Sequence, residues 1–329
     1  MVKQVKAVGV AGALSVVIGC LSGGGASAQV AYPSKTVRMV VPFAPGGGTD
    51  TLGRLLAQKV AEMWGVSVVV ENRPGAGSTV GTDVVARAAA DGYTLGVTSM
   101  SHAINATLYR KLPYDTTKDF EFIVLTVRVP NVLVVHPSVP VRSVRDLVVL
   151  ARSRPGDLTF SSSGVGGVSH LSAEVFASTV GIRMLHVPYK GAGPAMTALV
   201  SGEAQVMMAT VPVLLPQMQS KRVRAIAISS LKRTPLLPDL PTVAESGYAG
   251  FETDSWYGIL APRGTSRDVV QKVNADVNRA LNSADLKAAM AQQGAQPAGG
   301  TQEEFQRYVQ SETTKWRKAI LDAKVPYAN

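Results

Sequence analysis

The stretch TVRMVVPFAPGGGTDTLGRLL, residues 36–56, constrains the fold of this chain more than any other. Its apolar, β-branched beginning predicts a short buried strand. Proline and three consecutive glycines then interrupt the strand, and Thr49 or Asp50 can cap a helix whose apolar face begins at Leu52. A glycine loop before a helix N-terminus concentrates unpaired backbone N–H groups, which favours an anion site; the alternative is a tight turn without a ligand.

The first 28 residues are typical of an export signal. Two lysines precede an apolar run over residues 7–19, and the small-x-small sequence Ala26-Ser27-Ala28 predicts cleavage after Ala28. The run is too short and too rich in glycine for a comfortable membrane span. The sequence VIGC also resembles a lipobox, so cleavage before Cys20 with lipid attachment is the rival. We favour Ala28 because this lipobox lacks its usual leucine and small residue.

Composition narrows the chemistry that the mature chain can perform. Cys20 is the single cysteine among 329 residues, so a chain cleaved after Ala28 has no disulfide, zinc–thiolate or cysteine-nucleophile chemistry. Removal of the two leader lysines lowers the formal net charge of +10 by two, to +8, which suits an anionic small molecule or surface. Nucleic acid is disfavoured because aromatic residues make up only 6% and no run of five basic residues occurs.

Strand-like and helix-like segments alternate along the rest of the chain, a rhythm typical of an α/β protein with largely parallel sheets. Glycine- and hydroxyl-rich loops follow three of the strands, over residues 45–48, 75–78 and 161–167. Ligands of open α/β sheets bind beyond the carboxyl ends of strands, where such loops lie. The three loops therefore predict an anion held by N–H and O–H donors.

Other kinds of site find less support. A P-loop motif is missing and the glycine spacing after residue 75 is off by one from the dinucleotide fingerprint, so no nucleotide cofactor is expected. The G-x-S-x-G elbow is also missing; Ser163, His170 and Asp157 could form a Ser-His-Asp set, but no pattern pairs them. His170 and Glu174 share a helix face without a second pair of metal ligands, so no metal is expected. His170 is then either a pocket-lining residue or a structural histidine.

Seven stretches of the chain match one known family in the same order. They are YPSKTVRMVVPFAPGGGTD, VVVENRPGAGSTVGTDVVARAAADGYTL, HAINATLYRKLPYD, FSSSGVGGVSHL, HVPYKGAGPA, LPDLPTVAESGYAGFETDSWYGILAP and GAQPAGGTQEEFQRYVQSETTKW. On these residues the chain resembles the Bug-type periplasmic solute receptors of tripartite tricarboxylate transporters, over nearly all of its mature length.

The resemblance implies a type II periplasmic-binding-protein fold, in which two α/β lobes enclose a ligand cleft. After a signal peptide of residues 1–28, we expect residues 29–129 with 230–329 to form a discontinuous first lobe and residues 130–229 the second. It also implies that a carboxylate is held by backbone amides, hydroxyls and waters rather than by a salt bridge. The ligand-binding residues expected on this basis are Phe43, Gly47, Gly48, Asp50, Gly77, Ser78, Ser99, Ser101, His102, Ser162, Ser163, Gly166, Ser169, His170, Tyr189, Gly191 and Gln205.

One stretch departs from the family pattern. Many relatives carry two acids on a strand after the PYKG helix, and Gln205 and Ala209 stand at those positions here. A cleft carboxylate would be the natural partner of a ligand amino group, so losing both acids favours a purely anionic ligand. We expect Gln205 to donate its amide to that anion; the alternative is that Gln205 points away from the cleft.

The function implied by the resemblance is that of a monomeric, non-enzymatic receptor without cofactor or metal. It captures a small organic carboxylate by hinge closure in the periplasm and delivers it to membrane transporter subunits. One alternative is a co-receptor that docks on a membrane sensor. A further one is an exported hydrolase or isomerase.

Overall fold

The computed structural model describes residues 1–4, 7, 32–322 and 324–328. The lipobox at Cys20 and the cleavage site after Ala28 lie outside the described residues. Pro33–Asn329 form one compact unit, which holds all the described helices and strands. Among the described residues, no helix is both long enough and apolar enough to cross a membrane.

Strands and helices alternate along this unit, as the sequence predicts. The strands are β1 (Val37–Val41), β2 (Val68–Asn72), β3 (Thr94–Ser99), β4 (Phe120–Val129), β5 (Asn131–Val135), β6 (Thr159–Ser162), β7 (Leu185–Pro188), β8 (Val206–Thr210), β9 (Arg224–Ile228), β10 (Ser255–Pro262) and β11 (Gln296–Pro297). The α-helices are α1 (Gly48–Trp64), α2 (Thr79–Ala86), α3 (Met100–Leu108), α4 (Val144–Ser153), α5 (Val168–Val180), α6 (Ala192–Ser201), α7 (Val211–Gln219), α8 (Arg267–Leu281), α9 (Ala284–Gln292) and α10 (Gln302–Asp322). A 3-10 turn, Ala76–Ser78, precedes α2.

The strands form two sheets, and each sheet is the centre of one lobe. Lobe 1 has the strand order β11-β4-β10-β3-β1-β2, and lobe 2 has the order β7-β6-β8-β5-β9. Parallel pairs join β1 to β2 and β3, and β6 to β7 and β8. β10 runs antiparallel between β3 and β4, and β5 runs antiparallel between β8 and β9. The α/β class is confirmed. Both sheets are mixed rather than largely parallel, because β10 and β5 run antiparallel to the strands on either side of them.

The chain crosses between the lobes twice. The first crossing is at Pro130, between β4 and β5. After β9, the chain stays on lobe 2: Thr242 bridges to Ile228, and Phe251 packs in the lobe 2 core. The return crossing therefore lies between Phe251 and β10, later than the predicted 229–230, because the connector first packs on lobe 2.

Strand β5 shows why lobe 2 needs helices on both faces. Leu133 and Val135 pack with α4 and α5, whereas Val132 and Val134 pack with α6 and α7. Because successive side chains of a strand point to opposite faces, a continuous apolar strand must be covered on both sides.

A buried polar network fixes β10 in lobe 1. Glu312 of α10 accepts hydrogen bonds from the indole nitrogens of Trp256 and Trp316, at 2.9 and 3.0 Å, and from Lys315 at 2.7 Å. Trp256 and Trp316 are fully buried, and Phe305 packs edge-on against Trp256. The network anchors the strand whose beginning reaches the space between the lobes.

Hydrogen bonds tie the two crossings together. The Asn131 N–H donates to Ser229 Oγ at 2.8 Å, and Ser229 Oγ donates to Asp254 Oδ1 at 2.7 Å. The Asn131 amide also donates to the Thr253 carbonyl and, at 3.3 Å, to Ser172 Oγ. Burial raises the pKa of Asp254 to about 7, although the hydrogen bond from Ser229 opposes the rise.

Candidate functional site

A cleft of about 640 Å³ is lined by residues of both lobes. Lobe 1 contributes the loop after β1, Gly77, one face of α3 and the beginning of β10; lobe 2 contributes the loops after β6 and β7. These loops follow the carboxyl ends of parallel strands, where α/β folds bind their ligands. All the described residues that line the cleft are uncharged.

Three helix N-termini with glycine caps meet at this cleft. Helices α1, α5 and α6 begin after Gly47, Gly167 and Gly191, and none of the three has a side-chain cap. Away from the cleft, Ser143 and Ser266 cap α4 and α8 with their side-chain oxygens. The first-turn N–H groups of a helix have no partner within the helix, and they carry its positive dipole end. The uncapped ends therefore offer donors to an anion in the cleft.

Asp50 holds the loop after β1 in place. Its carboxylate accepts hydrogen bonds from Gly46 N at 2.9 Å, from the Asn72 amide at 2.8 Å and from Arg54 Nε at 3.0 Å. The Asn72 amide also donates to the Phe43 carbonyl at 3.0 Å. Burial raises the pKa of Asp50, but the hydrogen bonds from Arg54, Gly46 and Asn72 outweigh it and hold this pKa below its ordinary value. Asp50 thus positions the loop from behind.

The loop after β6 is held by a comparable set of contacts. Ser169 Oγ accepts from Ser163 N at 2.9 Å and lies 3.0 Å from Ser163 Oγ. Nδ1 of His170 accepts from Gly166 N at 3.0 Å, and the ring stacks on His186 at a centroid distance of 3.8 Å. Burial and the neighbouring His170 lower the pKa of His186 to about 4. Contacts within lobe 2 therefore hold this loop in place.

The beginning of β10 forms the wall that both groups of loops share. Ser255 and Tyr257 lie on one face of the strand and are 2% and 8% exposed. Ser255 Oγ is buried without a hydrogen-bond partner in the described structure. Burial raises the pKa of the Tyr257 hydroxyl, and a Cβ placed on Gly48 would lie 3.2 Å from that oxygen. The Tyr257 hydroxyl therefore sits at the start of α1.

Helix α3 adds a polar face to the cleft. Ser101, Asn105 and Tyr109 line it, at a spacing of four residues. The Asn105 amide donates to the Gly77 carbonyl at 2.8 Å and to Ser78 Oγ at 3.3 Å, which joins α3 to the second glycine loop. Asn105 and Tyr109 are not among the residues expected from the sequence; their i, i+4 spacing from Ser101 is the signal that could have found them.

The family model described as "Tripartite tricarboxylate transporter family receptor" matches residues 52–325. This chain belongs to that family. The receptor is 36% identical to the protein BugT of Bordetella pertussis, over 88% of this chain and 90% of that protein. Membership places it among periplasmic solute receptors and confirms the predicted Bug-type assignment.

Two solved structures resemble this receptor over most of their length. "R. palustris Rpa4515 with adipate" is 37% identical and superimposes with a TM-score of 0.83, covering 90% of this chain and 99% of that one. "MatC (Rpa3494) from Rhodopseudomonas palustris with bound malate" is 33% identical with a TM-score of 0.78, covering 88% and 100%. These likenesses confirm the predicted periplasmic-binding-protein fold.

The structure divides the expected site residues of the receptor into three groups. Beside the cleft lies a smaller side compartment, whose lining includes Met207, Ala209 and Val213. The expected residues that line the cleft or this side compartment are Phe43, Gly47, Gly77, Ser99, Ser101, Ser163, Gly166, Ser169 and Gly191. Those that lie just behind this wall are Gly48, Asp50, Ser78, Ser162 and His170. The remaining three, His102, Tyr189 and Gln205, are bonded elsewhere.

His102 and Tyr189 have other partners. His102 is buried in an aromatic cluster with Tyr114, its Nε2 lies 2.7 Å from the Thr116 carbonyl, and burial lowers its pKa to about 4. Its helix phase turns the ring away from the cleft that the preceding residue lines. The Tyr189 hydroxyl donates to Glu203 Oε1 at 2.7 Å, outside the cleft wall.

The prediction that Gln205 lines the cleft is wrong. Gln205 precedes β8, and its Oε1 accepts from the backbone N and the hydroxyl of Thr159, at 2.8 and 2.6 Å. Ala209 and Thr210, at the carboxyl end of β8, line the side compartment instead. A strand rises about 3.3 Å per residue, so Gln205 lies roughly 13 Å along β8 from Ala209, at the opposite end.

The hydrolase and metal alternatives gain no support from the described residues. His170 Nδ1 accepts from a backbone N–H, and its Nε2 faces Glu174 at 3.6 Å, while Ser163 Oγ contacts Ser169. No described hydrogen bond links Ser163, His170 and Asp157. Within the described part of the chain, no group of three or more His, Cys, Asp or Glu side chains could hold a metal ion.

Proposed function

We propose that this receptor captures a small organic carboxylate between its lobes and delivers it unchanged to membrane transporter subunits. One observation supports this proposal most strongly. The uncapped N-termini of α1, α5 and α6 meet at a cleft whose described lining is uncharged. A desolvated carboxylate needs several hydrogen bonds, each contributing about 1.5–3 kcal/mol when one partner is charged. The helix ends and nearby hydroxyls supply such donors, and no acid of the described lining opposes a second negative charge.

The ligands of the related structures support the same class. The Rpa4515 structure contains adipate and the MatC structure contains malate, and both ligands are dicarboxylates. Their chemistry agrees with a site made of amides and hydroxyls.

Hinge closure follows from the placement of the donors. The N-terminus of α1 belongs to lobe 1, and those of α5 and α6 belong to lobe 2. An anion that contacts both lobes stabilises their closed arrangement, and the tied crossings at Asn131 and Asp254 give the motion a common pivot. We propose that the receptor acts in this way as a monomer in the periplasm, after its signal peptide has been cleaved after Ala28. The intact mass of the exported protein tests the cleavage, since a diacylglyceryl increment on Cys20 would contradict it.

A variant of the α1 cap tests the carboxylate site. Gly47 has φ of −79°, and a Cβ there would meet only the Ala44 carbonyl, at 3.8 Å, so other residues fit. Gly47→Asp places a carboxylate on the α1 N–H groups, where it stabilises the helix and competes with the ligand. Gly47→Ala adds the Cβ without the charge and serves as the matched control.

Isothermal calorimetry with adipate, malate and hexane-1,6-diamine measures the outcome. We expect the wild type to bind a dicarboxylate and not the diamine, Gly47→Asp to weaken that binding at least about tenfold, and Gly47→Ala to change it little. Mass spectrometry should recover the ligand unchanged. Binding of the diamine but of neither dicarboxylate, or undiminished binding by Gly47→Asp, would contradict the proposal.

A further inference from the structure

A side compartment of about 140 Å³ adjoins the cleft and shares part of its wall. Half of its lining is apolar: Val168, Ala192, Met207, Ala209 and Val213. An engineered apolar protein cavity of about 150 Å³ holds one benzene molecule. The compartment therefore has room for a compact group of about that size.

Beyond the wall that it shares with the cleft, where Val168 and Ala192 begin α5 and α6, this compartment has few backbone donors. Helix α7 begins here after Thr210, but the Val211 N–H already donates to the Pro130 carbonyl at 3.2 Å, and Pro212 has no N–H. The described lining also contains no cation. Because a buried carboxylate needs several donors, this compartment suits an uncharged group.

One hydroxyl in the shared wall remains open to a ligand. Ser255 is 2% exposed, and its Oγ has no hydrogen-bond partner among the described residues. Ser163 and Ser169, by contrast, contact each other at 3.0 Å. Buried hydroxyls in native proteins normally have a partner, so a ligand atom that accepts or donates one hydrogen bond fits at Ser255.

We propose that the side compartment takes the uncharged end of the ligand. The preferred ligands are then carboxylates whose other end is a compact apolar group, about the size of a benzene ring, with one neutral hydrogen-bonding substituent that contacts Ser255 Oγ. The inference rests on the proposed function, since the carboxylate of the same ligand binds at the N-termini of α1, α5 and α6.

Four ligands of graded chemistry test the inference by calorimetry. They are 4-hydroxyphenylacetate, phenylacetate, 4-carboxyphenylacetate and the ring-free adipate. We expect 4-hydroxyphenylacetate to bind about fivefold tighter than phenylacetate, as one neutral hydrogen bond allows. We expect it to bind at least about tenfold tighter than 4-carboxyphenylacetate, whose second charge has too few donors.

Two variants test whether the ring of the ligand binds in the side compartment and whether its substituent contacts Ser255. Ala209→Leu fills the compartment and should lower the affinity ratio of phenylacetate to adipate at least about tenfold, because the ring loses its apolar surroundings. Ala89→Leu makes the same change at an exposed position of lobe 1 and is the control. Ser255→Ala should abolish the preference for the hydroxylated ring and leave the order of the other ligands.

The outcomes separate this inference from the proposed function. If the wild type binds adipate or malate but Ala209→Leu leaves the ratio unchanged, the compartment does not take the ring and the inference fails alone. Equal binding of 4-carboxyphenylacetate and 4-hydroxyphenylacetate would overturn it in the same way. If the wild type binds none of the carboxylates, the proposed function fails and this inference fails with it.

Discussion

Replacing Asp254 with asparagine should remove a pH dependence of the receptor's stability. The Asp254 carboxyl is buried between the two lobe crossings, accepts from Ser229 Oγ at 2.7 Å, and has its pKa raised by burial from 3.8 to about 7. The folded protein thus holds a proton that the unfolded chain releases above about pH 4. The stabilising contribution of that proton is complete below about pH 4 and is lost as the pH rises through about 7.

The size of the effect follows from the shift. A shift of about three pKa units corresponds to roughly 4 kcal/mol of unfolding free energy, at about 1.36 kcal/mol per unit. Roughly 2.5 kcal/mol of this change falls between pH 5 and pH 8. Asp254→Asn keeps an oxygen that accepts from Ser229 but cannot ionise. As the pH rises from 5 to 8, the unfolding free energy of the variant should therefore increase by about that amount relative to that of the wild type.

Urea unfolding of both proteins at pH 5, 6, 7 and 8 measures this difference. Asp285→Asn is the control, because hydrogen bonding to Lys59 lowers the pKa of that exposed carboxyl to about 2, so it stays ionised throughout the range. If the difference in unfolding free energy between Asp254→Asn and the wild type stays constant from pH 5 to pH 8, the reasoning is refuted.

Three further substitutions probe the cleft and the core. Asp50→Ala removes the acceptor beneath the first glycine loop and should cost about 2–3 kcal/mol of unfolding free energy and weaken ligand affinity, with Asp50→Asn milder in both urea unfolding and calorimetry. Gly166→Ala adds a Cβ at a φ of +75°, 2.0 Å from Leu108 Cδ2 of the other lobe. Ligand affinity should fall about fivefold in calorimetry, consistent with strain of roughly 1 kcal/mol. Adding Leu108→Ala to the same chain should relieve the clash and restore affinity. Glu312→Ala leaves two buried indole N–H groups unpaired and should lower the unfolding free energy by about 3 kcal/mol, whereas Glu312→Gln should cost less in thermal unfolding.

The glycine loops of the cleft could be predicted from the sequence because their signals are local. A β-branched run, then glycine and hydroxyl residues, then an amphipathic helix is legible over about twenty residues, and the loops containing Gly47 and Ser163 lie on the cleft. The two-lobed α/β fold followed from the repetition of this pattern and from the family resemblance.

Side-chain direction and long-range pairing could not be predicted in the same way. His102 adjoins a residue that lines the cleft, yet one step along a helix turns a side chain by about 100°. Gln205 adjoins β8, whose carboxyl end lines the side compartment, but it lies at the opposite end of that strand. Ser255 and Tyr257 were missed because their place depends on β10 pairing with β3 and β4, where Tyr257 stands opposite Ser99. No local pattern encodes that register.

The pairing of β4 with β10 also has a consequence for how the chain folds. Ser255 stands opposite Val129 in an antiparallel ladder, although the whole of lobe 2 lies between them in sequence. Lobe 1 is thus built like a hairpin whose turn has been replaced by a lobe, and it lacks a central strand until the chain beyond residue 254 arrives. Lobe 2 contains all of its own strands in one continuous segment, and shorter loops close faster. We therefore expect lobe 2 to fold first and the ladder between β4 and β10 to close afterwards.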